Sequence, residues 1–460
     1  MLGSESRARI TPSLRKIRLD YSDFCGAGRA LTVTFLVRDP GGFAQVNCAQ
    51  LTSEVPMLFP RCMPRCFLFL CMLMVVTSIA PAQASAQLSF RPADPLNNVA
   101  FDHFYNMDYA RSISEFDQVL QKHPDDPFAV NHILTAVLFQ ELYRMGALNT
   151  GDYANDSFVA TAHRPADPKV QQRIKELMEK ARSLEEKRLA ANAKDVDALY
   201  ARGVTRGQFS TYTALVERSW FSALRNALGA RHDHEHVLEL SPGYTDAKLI
   251  VGAHNYVMGS LPLAVKVAVT MIGERGSKEK GIRYLQEAAS GSGETSVDAK
   301  IVLLLFLRRE RRYPEALEIA RGLVPRYPHN LLMALEQGNL LRASGNNSEA
   351  ASAYQKILQS GRDGLYPDLH YELAALSLGD LLRAQKDYAG AASAYEQVSQ
   401  IQKPDPEVLQ KANLGAGEMY DVLKKRELAI QKYQAVVATN VNTAPAETAR
   451  KRMKEAYRQE

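Results

Sequence analysis

The chain has 460 residues, with 56 lysines and arginines against 51 aspartates and glutamates, a formal excess of +5. That excess is local: 9 basic and 5 acidic side chains precede residue 87, leaving 47 and 46 downstream, so bulk charge supplies no nucleic-acid-binding face. All five cysteines (Cys25, Cys48, Cys62, Cys66, Cys71) lie in the same first part, which excludes disulfides, thiol catalysis and thiolate zinc sites from the rest.

Residues 1–56 show no sustained periodicity and read as an upstream extension of the reading frame. Residues 57–86 have the three parts of a secretory leader: a positive head at Arg61 and Arg65, an uncharged apolar run of 11 residues from Cys66 to Val76, and `PAQASA`, suited to cleavage after Ala86 or Ala84. A bilayer span needs about 20 apolar residues, so the run is expected to be removed and the mature chain to carry no membrane anchor. The expectation is an exported protein, periplasmic, secreted or at the cell surface.

Residues 87–145 open the mature chain with helical patterns around `VAFDHFYNMDYARSISEFDQVLQKHPDDP`, in which Phe116, Val119 and Pro124 are in phase and Ser112 stands at a small-residue position. Residues 146–295 diverge. Gly146–Pro168 is a polar loop, and Lys169–Asn192 a charged helix with Ile174, Leu177, Ala181 and Leu184 on one stripe. The apolar stretch Leu261–Gly273 reads as a helix buried between repeats in preference to one lying on a membrane, because Lys266 is its only basic residue.

Within this middle, `RHDHEH` places His232 and His236 four residues apart, the helical spacing that brings two imidazoles to one metal. If Pro242 closes a helix in the usual place, His234 falls on the packing face, where Phe116 and Tyr354 fall. Three histidines of alternate spacing cannot converge from one regular helix. The competing function is therefore a metal-assisted enzyme using His232 and His236, but no metal ligand, catalytic residue or cofactor site is assigned. The sequence has no phosphate-cradling glycine loop, no `HExxH` and no nucleophile elbow.

Residues 296–460 repeat. Alanine, then an apolar residue or tyrosine four on, then an apolar residue three further, recurs at Ala316/Ala320/Leu323, Ala350/Tyr354/Ile357, Ala391/Tyr395/Val398 and Ala429/Tyr433/Val436. Leu304, Gly338, Gly379 and Gly417 stand twelve residues before each alanine, giving helix pairs with small residues at the crossing. `LMALEQGNLLRASGNNSEAASAYQKIL` and `LAALSLGDLLRAQKDYAGAASAYEQVSQ` resemble tetratricopeptide repeats. The resemblance implies an all-α superhelical solenoid, with a non-repeat helical insertion at 146–295, that binds a protein or peptide. `SLPLAVKVAVTMIGERGSKEKGIRYLQEAA` loosely resembles part of the tetratricopeptide repeat protein 39 and inclusion-body-clearance family and carries over no catalytic residue.

In the tetratricopeptide family, the residue after the crossing position and the one three further on look into the concave groove. Here these are Leu305, Asn339, Asp380 and Glu418, then Arg308, Arg342, Arg383 and Asp421. Arg308, Asn339, Arg342, Asp380, Arg383 and Glu418 are therefore the candidate partner-binding residues, with arginines suited to fork-like pairing with carboxylates. Self-pairing of Asp380 with Arg383 is the alternative. The family's clamp for a chaperone's C-terminal carboxylate usually has lysine or asparagine where this chain has Ile301, Leu335, Leu376 and Leu414, so that mode is not expected.

Overall fold

The computed structural model describes residues 35–39, 42–46, 88–151, 163–261, 276–367 and 369–458, in two compact units. The leader at 57–86 and residues 262–273 of the apolar stretch lie outside the described residues. The first unit contributes an antiparallel hairpin, β1 (Phe35–Asp39) with β2 (Gly42–Val46), Phe35 facing Val46.

Among the described residues the second unit is all-helical apart from one isolated bridge, Ser89 with Gly293. Its helices are α1 (Pro95–Tyr105), α2 (Tyr109–Lys122), α3 (Pro127–Met145), α4 (Pro168–Ala191), α5 (Val196–Leu215), α6 (Trp220–Leu240), α7 (Lys248–Ser260) and α8 (Lys278–Ser290). The repeat region follows as α9 (Ser296–Arg309), α10 (Tyr313–Arg326), α11 (Leu331–Ala343), α12 (Asn347–Arg362), α13 (Glu372–Ala384), α14 (Tyr388–Val398), α15 (Pro406–Val422), α16 (Arg426–Thr439) and the closing α17 (Ala444–Lys454).

Local chemistry explains where many helices begin. Asp94, Asp126, Asp167 and Asp405 accept backbone N–H bonds at the first turns of α1, α3, α4 and α15, each followed by proline in the first helical positions, where its missing N–H costs nothing. Within hairpins the turn is equally uniform. Met107, Arg218, Arg311, Gly345, Lys386 and Lys424 all adopt left-handed φ, between 56° and 83°, in the connections of α1–α2, α5–α6, α9–α10, α11–α12, α13–α14 and α15–α16.

The crossing is the repeated unit of packing. A Cβ on Gly338 or Gly417 would stand 2.6 Å from the ring of Tyr354 or Tyr433, and one on Gly379 would clash with the Tyr395 ring more closely still. Glycine is required because a flat aromatic ring lies against the backbone of the neighbouring helix. The alanines Ala316, Ala350, Ala391 and Ala429 are completely buried beside these rings, as the small-residue pattern predicts.

The middle region is built from helix hairpins too, with longer helices of 24, 20 and 21 residues in α4, α5 and α6. In α5–α6 the crossing recurs with Gly203 under the His234 ring. The apolar stripe of α4 is rotated from expectation: Ile174, Met178, Ala181 and Glu185 are buried, while Leu177 and Leu184 are half-buried. A carboxyl occupies the core face because burial pushes Glu185 up to about 7, and it accepts a hydrogen bond from Thr205 at 2.5 Å.

Candidate functional site

The inner helices α9, α11, α13 and α15 carry the candidate groove residues, and each has a definite partner except one. Arg308 Nη1 lies 2.6 Å from Glu336 Oε2, with side chains 14% and 0% exposed. Asn339 accepts from the Tyr354 hydroxyl at 2.8 Å and Asp380 from the Tyr395 hydroxyl at 2.7 Å. Arg383 pairs with Glu418 at 2.7 Å across to the next inner helix. Asp380 and Arg383 do not pair with each other; the tyrosine of the crossing takes the aspartate instead. Arg342 is exposed, and its side chain has no hydrogen bond or ion pair among the described residues.

Two segments of the chain itself reach these residues. After α3 the backbone turns inward, so that the Thr150 hydroxyl donates to Glu336 at 2.5 Å and its carbonyl accepts from Arg308 at 3.4 Å. The same stretch is tied down by the Tyr143 hydroxyl accepting from the His370 N–H at 3.1 Å and by the ion pair of Arg164 with Asp405. Burial pushes the Glu336 carboxyl up, against the pull of Arg308 and the Thr150 hydrogen bond.

The second segment is the tail. Past α17, Tyr457 donates its backbone N–H to Asp421 at 2.8 Å, and its hydroxyl accepts from Arg383 at 2.9 Å. The guanidiniums of Arg452 and Arg383 lie 4.8 and 5.3 Å from the Tyr457 ring centroid. Asp421 is fixed by Arg426 and by the Tyr433 hydroxyl, each at 2.8 Å. Burial works against the Arg383 charge, yet Glu418 and Tyr457 carry its pKa above the ordinary value. The aliphatic line lies below this polar layer, with Leu335 buried and Ile301, Leu376 and Leu414 half-buried.

Sequence reasoning missed Glu336, Thr150 and Tyr457. Glu336 carried a signal, as an acid inside an otherwise apolar inner-helix stretch (`LMALEQGNLL`); Thr150 and Tyr457 carried none, because their partners are 186 and 74 residues away.

The histidine cluster separates as its spacing predicts. His234 is 1% exposed, its Nδ1–H donates to the Ala230 carbonyl at 2.8 Å, and burial pulls it down to about 4. His232 is exposed and His236 half-buried, and no group of three His, Cys, Asp or Glu side chains suited to a metal forms among the described residues. Between them Asp233 is buried and holds Arg202 at 2.6 Å and Arg206 at 2.7 Å, a structural use for the cluster.

The tetratricopeptide-repeat family model matches residues 335–406, so this part of the all-α chain carries tetratricopeptide repeats. Such repeats mediate protein interactions, which makes a protein-interaction scaffold the general function of this fold. Among solved structures the chain is similar to Pseudomonas aeruginosa PilF (16% identity, 56% of this chain and 99% of that one, TM-score 0.33). It is similar also to yeast Tom70 (12%, 78% and 87%, TM-score 0.35) and to a tetratricopeptide repeat protein from Parabacteroides merdae (13%, 70% and 97%, TM-score 0.28). No curated protein matches. Among the described residues no helix is long and apolar enough to cross a membrane.

Proposed function

We propose that the protein is an exported scaffold, of a bacterial periplasm or cell surface, that binds an extended peptide segment of a protein partner in its concave groove. The supporting observation is that the groove already holds two pieces of peptide main chain: the Thr150 carbonyl on Arg308 and the Tyr457 amide on Asp421. Between them Arg342 stands exposed and offers a fork of donors for a carboxylate. Export rests on the leader pattern at 57–86 and on the cysteine-free chain that follows it. Phe90 is the first buried side chain among the described residues of the second unit.

The test is affinity capture from an envelope fraction with the mature chain and its Arg342→Glu variant. The variant should lose the specific partner while melting within about 0.5 kcal/mol of the parent, as exposed substitutions do. Identical capture by both proteins rejects the groove reading. Mass spectrometry of the native protein should find its N-terminus near Gln87 or Ser85; peptides from residues 1–56 in the mature form reject export by this leader.

A further inference from the structure

We infer that the C-terminal end of the groove is a recognition site for an extended segment bearing a tyrosine, and that the chain's own Glu455–Arg458 occupies it as a competing ligand in cis. The inference deepens the peptide-binding reading above and takes its partner chemistry from the contacts of Tyr457.

Three features make this a site and not a frayed end. The acceptor for the main chain is pre-set: Asp421 is 9% exposed and is immobilised by Arg426 and Tyr433 before Tyr457 adds its N–H. The donor for the phenol is pre-set as well, since Glu418 holds the Arg383 guanidinium at 2.7 Å while Arg383 Nη2 donates to the hydroxyl. The guanidiniums of Arg383 and Arg452 both lie close to the ring centroid, at 5.3 and 4.8 Å, which suits the electron-rich ring of a phenol. A phenylalanine keeps the ring contact and loses the hydroxyl acceptor; an aliphatic residue loses both.

The occupant is weakly held in other respects. Glu455 and Arg458 are exposed, Ala456 and Tyr457 are half-buried, and the helix has ended, with Glu455 in extended conformation (φ −131°, ψ 119°). A short stretch with so few buried contacts opens locally without unfolding the array. A tethered ligand competes at an effective concentration on the order of millimolar, so an external segment of equal affinity must exceed that to displace it, and a tighter one proportionally less. The tail thereby sets an affinity threshold for partners.

The probe is a fluorophore-labelled peptide of residues 452–460 (`RMKEAYRQE`), titrated by anisotropy into the full chain and its Tyr457→Ala variant. The variant should bind the probe at least about tenfold more tightly than the parent, because the site is vacated. Arg383→Gln added to the variant, or phenylalanine for tyrosine in the probe, should reverse most of that gain. Equal binding by parent and variant overturns the proposal, as does a gain indifferent to Arg383→Gln and to the phenol. Should Tyr457→Ala fail to fold, hydrogen exchange at the Tyr457 amide in the parent decides: faster exchange on adding excess probe supports the proposal, and an unchanged rate overturns it. Probe binding alongside Arg342-independent capture would leave this site standing and remove the wider groove reading; no probe binding with Arg342-dependent capture would do the reverse.

Discussion

The hairpins α13–α14 and α5–α6 are crossed in the same way and wired differently. In α13–α14 the Tyr395 ring covers Gly379 and its hydroxyl reaches Asp380; in α5–α6 the His234 ring covers Gly203 and turns its N–H back to Ala230 of its own helix. The polar link between α5 and α6 is then made by Asp233, which binds Arg202 and Arg206 on either side of that glycine. These two hairpins share a glycine and a flat ring at the crossing, and the connection at the ring's edge differs between them. Hairpin α13–α14 uses a neutral hydroxyl on an exposed aspartate, and α5–α6 a buried carboxylate between two arginines.

Acid separates the two most strongly. Unfolded His234 takes up a proton below about 6.5, whereas burial holds the folded imidazole neutral down to about 4. Its contribution is complete above pH 6.5 and is lost as pH falls toward 4, by about 1.4 kcal/mol per unit and about 3 kcal/mol in all. Hydrogen exchange of α5–α6 amides should show their opening free energy falling by that amount relative to a His234→Phe variant, with no matching loss in α13–α14. An equal acid loss in both hairpins would erase the distinction.

Gly203→Ala and Gly379→Ala test the common part. Each Cβ would clash with the facing ring, and overpacking costs about 1 to 3 kcal/mol, against the roughly 1 kcal/mol alanine gains in helix propensity. Similar losses of protection, each centred on its own hairpin, are expected from the neighbour-only coupling of an array. A harmless Gly203→Ala would mean that the middle does not share the crossing. Tyr395→Phe is the smallest change, about 1 kcal/mol for one hydroxyl bond to an exposed carboxylate, measurable as a shift in chemical denaturation of the C-terminal repeats.

The fold was legible where its determinants are local. Glycine and alanine spacing gave the C-terminal crossings, and the phase of Pro242 placed His234 in the core although the hairpin lacks the alanine–tyrosine signature. In the α4 stripe Ile174 and Ala181 were legible, but Met178 and Glu185 are buried where Leu177 and Leu184 were expected, because a buried carboxyl looks, in sequence, like a solvated one. The groove positions were legible as a phase but their state was not: Arg308 meets Glu336 on the next inner helix, and both meet Thr150 from a distant loop. No periodicity encodes that return of the chain.

The hairpin turns hold a consequence of their own. Five of the six left-handed positions keep a side chain, and four of those five, Arg218, Arg311, Lys386 and Lys424, are exposed cations. A side chain in that conformation costs roughly 1 to 2 kcal/mol that glycine, as at Gly345, would not. Glycine at Arg218, Arg311, Lys386 and Lys424 would therefore stabilise each hairpin by about that amount, at the loss of one exposed positive charge per turn.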